Sequence, residues 1–316
     1  MVTNKTAVVA LGGNAITVPG IEDTITNQFA NTRRSLDGIM ALARDGFNLV
    51  VTHGNGPQVG NALLRNELAL GKAPDLPLGV LVADTEGGMG YMIEQSLQNR
   101  LRKEKINRPV TTIITQMLVR ADDPAIKNPT KYIGQFYSEE EAREFAETRG
   151  WQVKKDANRG WRRVVASPVP YKAVPAETIK RLVEGGTIVI AGGGGGIPVY
   201  IDEKGNYEGI DAVIDKDLAS AVIAREIDAS ILCILTSVDK VSLRFGEPDQ
   251  QDLDTCKLSQ IKKYFDEGHF PPGSMGPKIK AAMMFLENGG DLVTITSFNN
   301  AREAVSGKAG TRIMPD

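Results

Sequence analysis

Five consecutive glycines, Gly192 to Gly196, constrain this chain more than any other stretch. They follow a β-branched apolar run, Thr187-Ile188-Val189-Ile190, so a strand is expected to end in a loop with almost no side chains. Glycine adds no Cβ and tolerates positive φ, which lets backbone amides approach a bulky anion closely. Further on, Ile214-Asp215-Lys216-Asp217-Leu218 holds a lysine between two aspartates where a helix is expected to start. A phosphate cradle followed by a carboxylate–lysine cluster points to phosphoryl transfer from a nucleotide. Either piece alone reads better as a sharp turn or a solvated helix cap, so the reading rests on their combination.

At 316 residues the chain is just past the size, roughly 250 to 300, at which single cores stop growing. One large fold with two lobes, or two domains, is expected. Lys plus Arg number 37 against 39 Asp plus Glu, a balance that asks for neither nucleic acid nor an acidic membrane surface. Cys233 lies in the apolar run Ile231 to Leu235 and reads as a buried free thiol, while Cys256 stands in a polar region. Two cysteines and two histidines, His53 and His269, argue against a disulfide framework or a His-rich metal site. No apolar run reaches the roughly 18 residues needed to span a membrane, and Met1 leads straight into the strand-like Ala7 to Leu11, so the simplest address is the cytoplasm.

Two strand-loop-helix units open the chain. Thr6 to Leu11 meets Gly12-Gly13-Asn14-Ala15 before a helix pattern over about Asn27 to Arg44, and Phe47 to Thr52 meets His53-Gly54-Asn55-Gly56-Pro57 before a helix over Gln58 to Leu70. Alternation of this kind builds an α/β fold with an open, mainly parallel sheet, and ligands sit beyond the carboxyl ends of its strands. Leu78 to Lys105 reads as helix interrupted by Thr85-Glu86-Gly87-Gly88-Met89-Gly90-Tyr91, whose glycines mark a close contact with a ligand or another helix. Val110 to Val119 reads as one strand. Residues 120–168 are polar and turn-rich around one acidic helix, Ser138 to Thr148, and read as a small inserted lid. This divides the chain into an N-terminal lobe (1–119), the lid (120–168) and a C-terminal lobe (169–316). The C-terminal lobe resumes the alternation with a hairpin near Glu203 to Asn206, helices over Leu218 to Glu226, Ser259 to Asp266 and Pro277 to Asn288, and strands over Ser230 to Val238 and Leu292 to Thr296.

Common explanations for glycine loops are absent. His53 to Gly60 misses the dinucleotide spacing by one residue, no Gly-Lys pair is followed by Ser or Thr, and there is no Gly-x-Ser-x-Gly elbow. What remains is three lysines in special settings: Lys131 behind Pro129-Thr130, Lys216 between Asp215 and Asp217, and Lys278 in the first turn of a helix after a Pro/Gly segment. A cation there is unfavourable by a few tenths of a kcal/mol, on the order of 0.3, unless an anion neutralises it.

Seven motifs in order, Ala10 to Ala15, His53 to Gly60, Asn128 to Lys131, Arg159 to Arg162, Gly193 to Pro198, Ala212 to Asp217 and Gly273 to Lys278, together resemble the carbamate kinases of the amino acid kinase superfamily, with essentially the whole chain covered. The resemblance implies a three-layer αβα sandwich with a protruding lid, a homodimer, and reversible phosphoryl transfer between ATP and carbamate giving ADP and carbamoyl phosphate, often run toward ATP. By the matching motifs, Gly12, Gly13, Asn14, Gly54 and Asn55 would hold the acceptor, and Lys131, Lys216 and Lys278 would neutralise the phosphates. Asp217 would orient the lysines, and Mg²⁺ would lie near Asp215 with no direct protein ligand assigned. Gly194, Gly195, Asp215, Thr236, Val238, Asp239, Phe245 and Met275 would border the nucleotide. Three residues depart from the expected pattern: Glu86 where glutamine is expected, Tyr132 for proline and Asn158 for glycine. A carboxylate at Glu86 would repel an anionic substrate if it faced the site. Rival readings are a relative that phosphorylates another small carboxylate and a nucleotide-sensing domain without turnover.

Overall fold

The computed structural model describes residues 5–18, 20–156 and 159–316, and the side chain of Asn14 is outside that description. Asn158 lies outside the described residues. The first half runs β1 (Thr6–Leu11), α1 (Ile25–Ser35), α2 (Asp37–Arg44), β2 (Asn48–His53), α3 (Gly56–Leu68), α4 (Leu78–Lys103), β3 (Val110–Ile113) and β4 (Gln116–Val119). A middle segment follows with α5 (Pro124–Lys127), β5 (Lys131–Tyr137), α6 (Glu139–Arg149), β6 (Val153–Lys155), β7 (Trp161–Val165) and β8 (Pro170–Ala173). The second half comprises α7 (Ala176–Glu184), β9 (Ile188–Ala191), β10 (Ile197–Ile201), β11 (Tyr207–Gly209), α8 (Lys216–Glu226), β12 (Ile231–Thr236), β13 (Val241–Leu243), β14 (Gln251–Leu253), β15 (Thr255–Lys257), α9 (Leu258–Asp266), α10 (Met275–Glu287), β16 (Leu292–Ser297), α11 (Ala301–Val305) and β17 (Thr311–Met314).

Eight strands form the main sheet in the order β15-β17-β16-β12-β1-β2-β9-β3, parallel throughout except where β17 meets β16. Successive side chains of a strand point to opposite faces, so a strand buried on both must be apolar at every position. In β1, Val8 and Ala10 enter one core with helices α8 and α10, while Ala7, Val9 and Leu11 enter the other with α2 and α4. The continuous apolar runs of the sequence therefore become a central layer covered on both sides. A second sheet, β11-β10-β4-β8, an antiparallel pair, β13-β14, and a three-stranded antiparallel sheet, β5-β7-β6, complete the described architecture, the last with α6 built from residues 120–168.

Several expected elements differ in detail. The helix pattern over Asn27 to Arg44 is two helices with a break at Leu36, beyond which Gly38 packs so closely on Phe298 O that a Cβ would stand 2.8 Å away. Helix α4 continues unbroken through Glu86 to Tyr91, and the close contact made there is with a strand: a Cβ on Gly90 would lie 2.2 Å from Thr112 Cγ2. The single strand expected over Val110 to Val119 is two, because Ile114 and Thr115 turn the chain from the main sheet into the second one. Cys256 is buried, since β15 joins the sheet beside β17, and Cys233 is a buried free thiol whose burial pushes it up to about 11.

Candidate active site

The carboxyl ends of four adjacent parallel strands converge at one edge of the sheet. Leu11 pairs with both His53 and Leu235 in register, so the turns after β1, β2 and β12 begin side by side. Gly12 donates its N–H to Leu235 O at 3.1 Å, and Gly54 donates to Leu11 O at 3.1 Å. The chain leaves β1 toward β2 on one side and has β12 on the other, the switch point where open α/β sheets hold ligands. A Cβ on Gly54 would come within 3.1 Å of Gly13 N, whereas one on Gly13 would meet nothing within 4 Å. Gly54 is thus required by its neighbour, and Gly13 leaves backbone open toward the cleft.

Helix α8 starts beside these turns. Asp215 caps it by accepting the Asp217 N–H at 2.9 Å, which aligns Lys216 and Asp217 in the first turn. Asp217, almost fully buried, takes Lys216 Nζ on one oxygen at 2.5 Å and Lys278 Nζ on the other at 3.2 Å. Burial alone would raise this carboxyl, but the two ammonium groups outweigh it and hold it below the usual carboxylate range. The second oxygen of Asp215 receives Lys131 Nζ at 3.3 Å from the start of β5. The three lysines singled out in the sequence therefore share two aspartates, leaving one positive charge in surplus. Lys278 sits in the first turn of α10, and the Asp217 carboxylate supplies the neutralising anion that position calls for.

Lys278 also lines a cleft of about 350 Å³ with Thr236, Val238, Phe245 and Met275, so one side chain joins the cleft to the charged cluster. Phe245 is 64 % exposed there. Asp239, expected beside them, instead accepts Asn300 Nδ2 at 3.3 Å. Ser242, His269 and Phe270 also line the cleft and were not anticipated from the sequence; His269-Phe270 ahead of Pro271-Pro272 was the available signal. A separate cavity of about 560 Å³ between α1, α3 and α4 holds none of the three lysines.

The glycine loop is packed more tightly than a phosphate cradle alone requires. Gly192 to Gly196 are all buried. A Cβ on Gly194 would sit 2.1 Å from Asn55 Nδ2, and one on Gly195 would sit 2.2 Å from Ile214 O. Gly194 and Gly195 also carry φ of 67° and 101°, which side-chain-bearing residues rarely adopt. The loop is thus a junction between β2, α3 and α8, and Asn55, which also donates to Thr85 Oγ1 at 2.9 Å, is part of its seat. Thr115, read in the sequence as mid-strand, accepts the Gly192 N–H at 2.8 Å on its hydroxyl. The polar Thr115-Gln116 pair inside an apolar run was the signal for it.

Glu86 is turned beneath this loop and buried, accepting the Thr115 N–H at 2.9 Å. Burial raises its carboxyl to about 8, so the acid form predominates at neutral pH, and the charge repulsion expected of an anion at this position does not operate there. Burial likewise lowers His53 to about 4, leaving it neutral. Tyr132, in β5, donates its hydroxyl to Lys155 O at 2.9 Å and lies under the Arg162 guanidinium.

Parallel glycine-rich strand ends facing a lysine cluster and a nucleotide-sized cleft define a phosphotransferase site. The chain belongs to the amino acid kinase family, which it matches over residues 5–297. It is 48 % identical to the carbamate kinase of Pyrococcus horikoshii over 310 residues, 98 % of each chain. The carbamate kinase-like protein YahI of Escherichia coli is 46 % identical over 310 residues, 97 % of this chain and 98 % of that one. The solved carbamate kinase from Giardia lamblia bound to AMP-PNP has a TM-score of 0.94 with 40 % identity, covering 100 % of each chain.

Proposed function

We propose that the protein is a carbamate kinase, interconverting ATP plus carbamate with ADP plus carbamoyl phosphate. The observation that carries this is the sharing of Asp215 and Asp217 by three lysines beside a cleft of nucleotide size. Relatives named carbamate kinase at 43–48 % identity over nearly the whole chain support the acceptor. In the cleft, Phe245 offers an exposed ring face to a base, while Thr236, Val238 and Met275 supply the wall. Lys278 and Lys216 meet the phosphates, and Asp217 fixes both ammonium groups in place. Lys131, brought by the middle segment acting as a lid, closes on the transferring group. The turns at Gly12, Gly13, Asn14, Gly54 and Asn55 receive carbamate.

Carbamate is already an anion and needs no general base, which agrees with a neutral, buried His53. The barrier is charge repulsion and alignment, which lysines and backbone amides address directly. Among the described residues no three His, Cys, Asp or Glu groups gather as a metal cage. A lone carboxylate fits Mg²⁺ held chiefly by nucleotide phosphates and water, and Asp215 would hold it. The bound ion would supply positive charge across the phosphate oxygens. The reading extends to the cytoplasm, where among the described residues no helix is long and apolar enough to cross a membrane. It also extends to a homodimer, supported by the sheet edge at β3 with Tyr91 and Ile114 exposed beside it.

The test is ATP formation from carbamoyl phosphate and ADP with Mg²⁺, for the wild type and Lys278→Ala. Robust synthesis that falls on the order of 10² to 10³ in the variant is expected. Folded protein that binds ADP but makes no ATP would sink the acceptor assignment and move the search to other small carboxylates.

A further inference from the structure

Beneath the glycine loop lie two buried titratable groups to which the phosphoryl-transfer reading gives no role. Glu86, in α4, is 1 % exposed. Its Oε2 accepts the Thr115 N–H at 2.9 Å, the Gly193 N–H reaches the same carboxyl, and Oε1 is buried without a hydrogen-bond partner among the described residues. His53, at the end of β2, places Nδ1 3.2 Å from Gly54 O, a contact that assigns the proton to Nδ1 and leaves Nε2 bare. A Cβ on Gly193 would lie 2.4 Å from His53 Nε2 and 3.1 Å from Glu86 Cγ, so both side chains press on one peptide unit. The next two glycines rest on Asn55 and Ile214, and Ile214 precedes the aspartates that hold the lysines. The height of the loop over the site is therefore set from below, at Gly193.

We propose that Glu86 is a positioning residue for phosphoryl transfer, acting as an uncharged acid that pins Gly193 and Thr115, and that its ionisation switches the site off. This rests on the phosphotransferase reading above. A protonated carboxyl still accepts N–H groups on its carbonyl oxygen while placing no charge below the loop. Once ionised, Oε1 carries charge with no donor facing it, and a buried unpaired charge must draw in water or displace its surroundings. That charge also lies beneath the loop expected to face phosphate.

The groups facing Glu86 sharpen the argument. From the loop there is the Gly193 N–H, and from the β3–β4 turn the Thr115 N–H, its hydroxyl already taken by Gly192. From β2 there is neutral His53, with Lys216 of α8 acting on that ring. Burial dominates, the two N–H groups offset it only in part, and the carboxyl comes to about 8, within the working range of an enzyme.

The experiment measures kcat for ATP formation from pH 6.5 to 9 in the wild type, Glu86→Gln and Glu86→Ala. Glutamine keeps an acceptor and a donor but does not ionise, so the Gln-to-wild-type ratio is expected to rise about tenfold between pH 7 and pH 9. The alanine variant lacks the clamp and runs slower than the glutamine variant at every pH. A flat ratio, or equal rates for the two variants, overturns the proposal. ADP affinity over the same range needs no turnover and separates the two readings. A wild-type affinity that weakens above pH 8 where Glu86→Gln does not supports the positioning role even in a protein that makes no ATP, and a flat wild-type profile in such a protein overturns it.

Discussion

The start of α8 and the floor under the glycine loop lie within one site and handle buried charge in opposite ways. At α8 every charge is kept and paired: Asp217 is ionised because Lys216 and Lys278 both reach it. Under the loop the charge is given up, and His53 and Glu86 are both held neutral by burial, with no ion-pair partner of their own among the described residues. The difference shows how the chain divides its work. Charges proposed to meet phosphate stay ionised by mutual pairing, while the scaffold that sets the backbone of the loop avoids charge altogether, since an unpaired buried ion costs several kcal/mol.

The largest expected effect comes from breaking the paired side. In Asp217→Ala the two ammonium groups lose their common anchor, and ATP formation should fall at least as far as in Lys278→Ala, on the order of 10² to 10³. A variant within tenfold of wild type would show that the lysines are placed without Asp217. Breaking the neutral side should act on stability. In Gly195→Ala a Cβ would meet Ile214 O at 2.2 Å at a φ of 101°, which should cost about 2–4 kcal/mol in denaturant unfolding and lower activity through loop displacement. An unchanged midpoint would mean that the loop has room to shift.

Much of this site was legible in the sequence, because strands buried on both faces leave unbroken apolar runs and each of β1, β2 and β9 stops at glycine. The charged cluster was legible as residues but not as pairs: Lys278 meets Asp217 across 61 positions and Lys131 meets Asp215 across 84. Short elements were the least legible. Strands β13, β14 and β15 have three residues each, too few for a period to show, and the break at Ile114-Thr115 left only the polar Thr115-Gln116 pair as its mark within a run read as one strand. The glycine loop was read as open backbone because a sequence does not show that Asn55 and Ile214 fill the space where its side chains would be.

The two regions should also separate by pH. Asp217 has a folded value below its unfolded one, so its contribution is present above about pH 3.8 and is lost only as pH falls through the depressed value. Under the loop, His53 moves from 6.5 to about 4, so the unfolded chain binds more protons in that window and stability rises with pH there. Glu86 moves from 4.5 to about 8, so the folded chain binds more protons and stability falls with pH across that range. Between about pH 4.5 and 6.5 the two slopes oppose. Above pH 6.5 only Glu86 remains, and stability should drop by about 1.4 kcal/mol per pH unit until pH 8. Urea unfolding of wild type and Glu86→Gln at pH 6.5 and 8 reads this directly, and parallel behaviour of the two proteins would show that Glu86 is already ionised at pH 6.5.

The smallest effect tests the outer wall of the cleft, where neither pairing nor burial protects the side chain. Phe245 is 64 % exposed in a cleft with Val238 and Met275, and its proposed role is a face for a planar base. Its loss forfeits about 1 kcal/mol of ring contact, so Phe245→Ala should weaken ADP about fivefold by calorimetry while leaving the unfolding midpoint within experimental scatter. Equal affinity in the variant would place the base elsewhere along the cleft, against Phe270 or His269, and would leave Lys278 as the only tested link between the nucleotide and the paired charges.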